Sequence, residues 1–124
     1  MIWAVLMCVV LLALIGFQIA LAAGAPLGRF AWGGQHPGTL PRRLRIASAV
    51  STLVYVGIGL VALSRVGALT LVAPPVAALL AWLIFGYLCL GVVMNAASRS
   101  RGERAVMTPI AAVMAACALG VALS

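Results

Sequence analysis

Few residues of this 124-residue chain can take part in chemistry, and their types restrict what that chemistry is. General acid–base catalysis near neutral pH needs His, Asp, Glu or a lysine of shifted pKa. The chain has one histidine, His36, one acid, Glu103, and no lysine. We expect His36 to form hydrogen bonds within a loop and Glu103 to form a solvated ion pair between Arg101 and Arg104. The sequence therefore predicts no enzymatic activity.

Metal and cofactor chemistry lacks its usual ligands. The single histidine has no partner at metal-ligand spacing, and paired histidines for haem are excluded by the count. Cys8, Cys89 and Cys117 lie in apolar runs without a C-x-x-C spacing, where a cysteine behaves as a small apolar residue. We expect no metal, no disulfide framework and no cofactor. No carboxylate falls within an apolar run, which disfavours proton-coupled transport.

Arginines and aromatic residues gather in the segment 24–45, GAPLGRFAWGGQHPGTLPRRLR. A helix is expected to begin behind Pro41, and the free N–H groups of a helix start and guanidinium groups both favour anions. Phospholipid phosphate is the anion most available at a membrane face. The segment therefore suggests an anion site. The alternative is membrane anchoring, with Phe30 and Trp32 as interfacial aromatic residues.

Polar side chains form stripes along two predicted helices. The stripe on the second helix consists of Arg45, Ser48, Thr52, Tyr55 and Gly59, and that on the third of Tyr87, Gly91, Asn95 and Ser98. Gln18 and Thr108 lie at the same end of the first and fourth helices. Polar groups in a bilayer usually face the bundle interior, so the stripes predict a polar vestibule closed by apolar residues at the far end. Alternatively, these groups only form hydrogen bonds between helices.

These observations define one candidate site for an anion, a lipid headgroup or another ligand. It consists of Gln18, Arg29, Trp32, His36, Arg42, Arg43, Arg45, Ser48, Thr52, Tyr55, Asn95, Ser98 and Thr108.

Composition shows what must position these residues. Apolar residues make up 66% of the chain and charged residues 7%, so its surface must be solvated by lipid. Uncharged runs long enough to cross a bilayer predict one integral membrane domain, residues 1–124, with spans near 3–23, 44–63, 76–96 and 106–123. Pro74 and Pro75 set the start of the third span. The first run lacks a charged n-region and is too long for a signal peptide, so we expect it to be a span.

The arginines predict the orientation of these spans. Seven of the eight arginines lie in or beside the first and third connections, and Arg65 alone lies in the second. Because cytoplasmic loops accumulate Arg and Lys, both termini are expected on the extracytoplasmic side. The resulting fold is all-α: a transmembrane four-helix bundle built from two parallel-oriented helical hairpins. The net charge of +7 does not indicate nucleic-acid binding, because the arginines flank membrane spans.

Two series of small residues could bring helices close together. Gly16, Ala20 and Gly24 follow small-xxx-small spacing, as do Ala112, Ala116 and Gly120. In lipid such series allow close helix packing. They serve either packing within the chain or contact in a homo-oligomer or larger membrane complex.

Two parts of the sequence carry a family resemblance. They are LGRFAWGGQHPGTLPRRLRIASAV and a later pattern, N-x-x-S-x-S-x-x-E-R-x-x-x-T-P, made by Asn95, Ser98, Ser100, Glu103, Arg104, Thr108 and Pro109. The chain resembles an uncharacterised group of small bacterial four-span membrane proteins, which implies a fold but no activity. Its abundance of Ala, Gly, Val and Arg without Lys is typical of a bacterium with a GC-rich genome.

The observations favour a non-enzymatic protein of the bacterial inner membrane, acting as an accessory or lipid-binding module through a cytoplasm-facing polar and basic site. Membrane lipids, including anionic phospholipid, are the expected partners. The alternative is a small oligomeric transporter or channel whose path passes Tyr55 and Asn95. A membrane enzyme that uses His36 on an amphiphilic substrate is the third reading.

Overall fold

The computed structural model describes residues 1–124 and contains helices and loops but no strands, which confirms the predicted all-helical fold with four long helices. Helix α1 covers Ile2–Ala22, α2 Arg42–Arg65, α3 Pro74–Ala96 and α4 Thr108–Leu123. A π-helical turn, Glu103–Met107, extends α4 at its start, so the four apolar segments contain 21, 24, 23 and 21 residues. At about 1.5 Å per residue, each is long enough to cross a bilayer.

Prolines mark where three of the helices begin. Pro41 precedes α2 with an extended backbone, Pro74 and Pro75 open α3, and Pro109 lies in the first turn of α4. The first turn suits proline because its missing N–H would have no helical partner there. The prolines therefore separate the helices without interrupting them.

The helices pack as two pairs that close into a bundle. The largest contacts join α1 to α2 and α3 to α4, and smaller ones join α1 to α4 and α2 to α3. At one end, here called the loop end, the α1–α2 connection (loop 1, residues 23–41) meets the α3–α4 connection (loop 3, residues 97–102). At the opposite, terminal end, Trp3 packs on Gly120 and Arg65 donates a hydrogen bond to Ala122 O.

The main apolar core joins all four helices. Met7, Ile58, Ala81 and Met114 belong to a cluster of 13 buried residues. Outward-facing residues are apolar as well: Leu12 and Leu53 are 69% and 72% exposed. Helices that are apolar on every side require a lipid environment. The chain is thus a multi-pass membrane protein.

The two series of small residues make few contacts within the bundle. A side chain at Gly16 would meet nothing within 4 Å, and Ala112 and Ala116 are exposed. Gly120 is the exception, because Trp3 covers it so closely that a Cβ would collide with the indole ring. Of the glycines in the two series, Gly120 alone therefore serves close packing between helices of the same chain.

Candidate functional site

A cavity of about 590 Å³ lies among the four helices towards the loop end. Its walls come from every helix, from loop 1 and from the π-helical turn before α4. Its size falls within the range typical of small-molecule sites. The cavity includes much of the predicted vestibule.

The charged residues of the cavity lie at its loop end, and apolar residues line it throughout. Arg43, Gln35 and Asn95 line it beside the loops together with Phe30 and Leu44, and Gln18 and Tyr55 line it farther along the helices. A second group of lining residues is apolar and reaches the main core: Leu14, Leu88 and Met114. Along α2, the lining runs from Arg43 to Tyr55, roughly 18 Å at about 1.5 Å per residue. The cavity is therefore amphipathic, with charge at the loop end and apolar walls inside.

One side of the cavity reaches the outer surface of the bundle along α3. Tyr87, Leu90 and Met94 line the cavity and are nevertheless 57%, 57% and 65% exposed. These residues lie in the membrane-spanning segment. The cavity thus communicates with the region of the lipid chains as well as with the loop end.

Loop 1 lines the loop end of the cavity in an unusual backbone conformation. Three consecutive residues have positive φ: Trp32 at 52°, Gly33 at 73° and Gly34 at 70°. Positive φ is uncommon for a residue with a side chain, so Trp32 must be held by its contacts. Its indole Nε1 donates a hydrogen bond of 3.1 Å to Ser48 Oγ on α2.

Loop 1 is also attached to loop 3 and to the start of α4. Gly33 N donates a 3.0 Å hydrogen bond to Glu103 Oε2, and Ser100 Oγ donates to Arg29 O. Gly34 packs against Ser100 so closely that a Cβ would collide with it. These contacts join the two loops into one structure around the polar end of the cavity.

Glu103 corrects one expectation from the sequence. It is not a solvated ion pair: the residue is 7% exposed, lines the cavity and accepts its hydrogen bond from Gly33. Arg104 instead donates to Ser98 O, and Arg101 is exposed. The π-helical turn turns the carboxylate inward, and such turns are frequent at functional sites. The only acid of the chain is thus part of the cavity.

Six of the thirteen predicted site residues line the cavity. They are Gln18, Trp32, Arg43, Tyr55, Asn95 and Ser98. Gln18 is 9% exposed, and its Oε1 has no hydrogen-bond partner although Tyr55 lies beside it. The Tyr55 hydroxyl beside this amide is a donor within the protein, so the two side chains form a polar pair in the wall of the cavity.

The other predicted arginines point to separate partners and do not form one cluster with Arg43. Arg29 lies 4.7 Å over the Phe30 ring, and Arg42 is exposed. Arg45 Nε donates to Ala22 O at 3.0 Å, at the end of α1, where a cation also favours the helix dipole. A single guanidinium, that of Arg43, therefore remains at the cavity.

The remaining predicted residues have structural contacts or lie outside the cavity. Ser48 is fully buried and accepts from Trp32, while Thr52 Oγ1 donates to Ser48 O in its own helix. His36 is half-buried in loop 1, with its carbonyl oxygen against Gly28. Thr108 Oγ1 is buried without a partner but does not line the cavity.

Sequence reasoning missed three polar lining residues, Glu103, Ser51 and Gln35. Ser51 lies one residue from the predicted stripe, on a helix whose orientation only packing defines. For Glu103 a signal existed, because it is the only acid in a chain with eight arginines.

The cavity offers charge and hydrogen bonds but no metal-ligand cluster. No group of three or more His, Cys, Asp or Glu residues is close enough to hold a metal ion. Its chemistry is that of binding an amphiphile: a guanidinium and a carboxylate near the loops, amides and a phenol between, and apolar walls inside. Comparison of the chain with protein-family models, curated proteins and solved structures finds no match.

Proposed function

We propose that this chain is a non-enzymatic protein of the bacterial inner membrane that binds a membrane phospholipid in the cavity among its helices. The observation that carries the proposal is the amphipathic cavity, which is open along α3 within the membrane-spanning region. A phospholipid has the same arrangement of charged and apolar groups. Its headgroup is charged and its chains are apolar, so it would bury both parts against matching walls.

The position of Arg43 favours one orientation of the bound lipid, with its headgroup at the loop end. Arg43 would bind the phosphate, because guanidinium groups form strong charge-assisted hydrogen bonds with phosphate oxygens. The chains would lie against Leu88 and Met114 and leave the bundle past Leu90 and Met94. Because seven arginines flank the loop end, the lipid would come from the cytoplasmic leaflet.

Filling the cavity is the direct test of lipid binding. Gly91 lines the cavity with nothing within 4 Å of its Cβ position, so Gly91→Phe should occupy the space of a ligand. Gly86, on the same helix, is exposed and equally unobstructed, which makes Gly86→Phe the matched control. Mass spectrometry of protein purified in mild detergent should find bound phospholipid in the wild type and in Gly86→Phe, and little in Gly91→Phe. Equal lipid in both variants would contradict the proposal.

Arg43 gives a second test with a matched control. Arg43→Gln should lower phospholipid affinity by about tenfold, since a hydrogen bond to a charged group contributes roughly 1.5–3 kcal/mol. Arg42→Gln removes the same charge from an exposed position outside the cavity and should leave affinity unchanged. Equal losses in a titration with short-chain phospholipid would indicate general attraction to the membrane surface rather than a site.

Transport is the alternative that a flux measurement separates from binding. The cavity ends against the apolar core around Leu14 and Met114, and a through-pore needs a lining along its whole length. This arrangement favours a binding module. Purified protein in liposomes should therefore produce no ion or solute flux, and a flux that Gly91→Phe abolishes would favour the transporter instead.

A further inference from the structure

The cavity places two opposite charges beside its loop end. Arg43 lies at the start of α2 and Glu103 at the start of the π-helical turn, and both line the cavity. A phosphate would satisfy Arg43 but would leave the carboxylate without a counter-charge. The carboxylate of Glu103 therefore indicates that the ligand has a positive charge as well as a phosphate.

Glu103 has no cationic partner among the side chains near it. Its Oε2 accepts from Gly33 N, whereas Arg104 donates to Ser98 O and Arg29 stacks on Phe30. The residue is 7% exposed, and a buried carboxylate is costly without a cation and further hydrogen bonds. A ligand ammonium would supply both.

The type of ammonium matters, because a buried carboxylate needs hydrogen-bond donors as well as a positive charge. A primary ammonium has three N–H donors. A quaternary ammonium has none.

We infer that the cavity selects a zwitterionic phospholipid with a primary ammonium headgroup, such as phosphatidylethanolamine. This inference rests on the proposed lipid-binding function and replaces the anionic lipid expected from the sequence. The phosphate binds Arg43, which is exposed at the loop end, and the ammonium binds the buried Glu103, so that each charge has its opposite. An anionic lipid such as phosphatidylglycerol has the same phosphate but no cation, so the charge of Glu103 would stay without a counter-charge.

The test uses wild-type protein exchanged into vesicles of defined composition, followed by mass spectrometry of the lipid that stays bound. Phosphatidylethanolamine, its mono- and dimethyl forms, phosphatidylcholine and phosphatidylglycerol are offered in equal amounts. We expect phosphatidylethanolamine to be enriched about tenfold over phosphatidylglycerol and phosphatidylcholine, with intermediate values for the partly methylated lipids, because each methyl removes one N–H donor. This series needs no substitution, so its result does not depend on the folding of a variant.

A variant then identifies the residue that selects the headgroup. Glu103→Gln keeps an acceptor for Gly33 N and removes the charge, so the lipid that it retains should show no preference for phosphatidylethanolamine over phosphatidylglycerol. Arg101→Gln, at an exposed position in loop 3 two residues before Glu103, should keep the preference.

The outcomes separate this inference from the function on which it rests. Bound lipid without headgroup preference, or enrichment of phosphatidylglycerol, would overturn the inference and leave lipid binding intact. No bound lipid in any arm would overturn both. Displacement of the lipid by water-soluble glycerophosphoethanolamine at equal concentration would show that the ligand is the free headgroup compound, which also overturns the inference.

Discussion

At the scale of single residues, loop 1 has two positions at which only glycine fits without strain. Gly33 and Gly34 have φ near +70°, where a Cβ costs about 1–2 kcal/mol. Gly34 has a second constraint, because Ser100 covers it. Trp32 adopts a positive φ despite its side chain and is held by its hydrogen bond to Ser48.

The two glycines separate backbone strain from packing. Gly33→Ala should lower the free energy of unfolding by about 1–2 kcal/mol, the cost of the left-handed backbone alone, since its Cβ would meet only Gln35 Cγ, at an ordinary contact distance of 4.0 Å. Gly34→Ala should cost about 1–3 kcal/mol more, because Ser100 must also move. Unfolding of both variants in mixed detergent micelles measures the difference. Equal losses would mean that the two loops do not pack as described.

At the scale of elements, the π-helical turn Glu103–Met107 holds loop 1 against the start of α4 through the hydrogen bond that Gly33 N donates to Glu103. It lies between the exposed Arg101 and the membrane-spanning part of α4, and it directs Glu103 to the amide of Gly33. The lining of the cavity beside the loops therefore depends on a contact between residues 70 positions apart. In a regular α-helical first turn, the Glu103 side chain would point in a different direction from the one that reaches Gly33 N.

Hydrogen exchange at the Gly33 amide reports on this contact. Glu103→Ala removes the acceptor, so the amide should exchange faster than in the wild type, by about fivefold or more if the lost hydrogen bond contributes about 1 kcal/mol or more. Amides in the middle of α2 should keep their protection. Arg101→Ala is the control, and an unchanged rate at Gly33 in Glu103→Ala would show that the carboxylate does not hold loop 1.

At the scale of the whole molecule, packing differs between the two ends. The terminal end is closed by Trp3 on Gly120 and by Arg65 on the last turn of α4, while the loop end contains the cavity. The arginines have the same asymmetry, with Arg65 alone at the terminal end, in the last turn of α2, and seven in or beside loops 1 and 3. Most of the arginines and the cavity therefore lie at the same end of the bundle.

Labelling in cells tests which membrane face this end occupies. In a chain with Cys8, Cys89 and Cys117 replaced by alanine, we expect Thr70→Cys, in the exposed α2–α3 connection, to react with an impermeable maleimide on intact spheroplasts. Gly38→Cys, in an exposed and unobstructed part of loop 1, should react only after lysis. The reverse pattern would place the cavity on the extracytoplasmic side.

The sequence by itself determined the four helices and much of the polar lining. Long uncharged runs leave a bilayer span as the only structure that satisfies the backbone, and the residues behind Pro41, Pro74 and Pro75 had to begin helices. Helical spacing also placed Tyr55 and Asn95 on faces that line the cavity. These features follow from local chemistry, which a sequence records directly.

Only the tertiary structure decided which polar groups reach the cavity and which have other partners. Ser48 and Arg45 share a stripe with Tyr55, yet one accepts from Trp32 and the other donates to Ala22 O. Glu103 turns inward because Gly33, 70 residues away, offers an amide to it. The partner of each polar side chain depends on contacts between segments that are distant in the sequence. Folding brings these segments together, so no local sequence pattern predicts the partner.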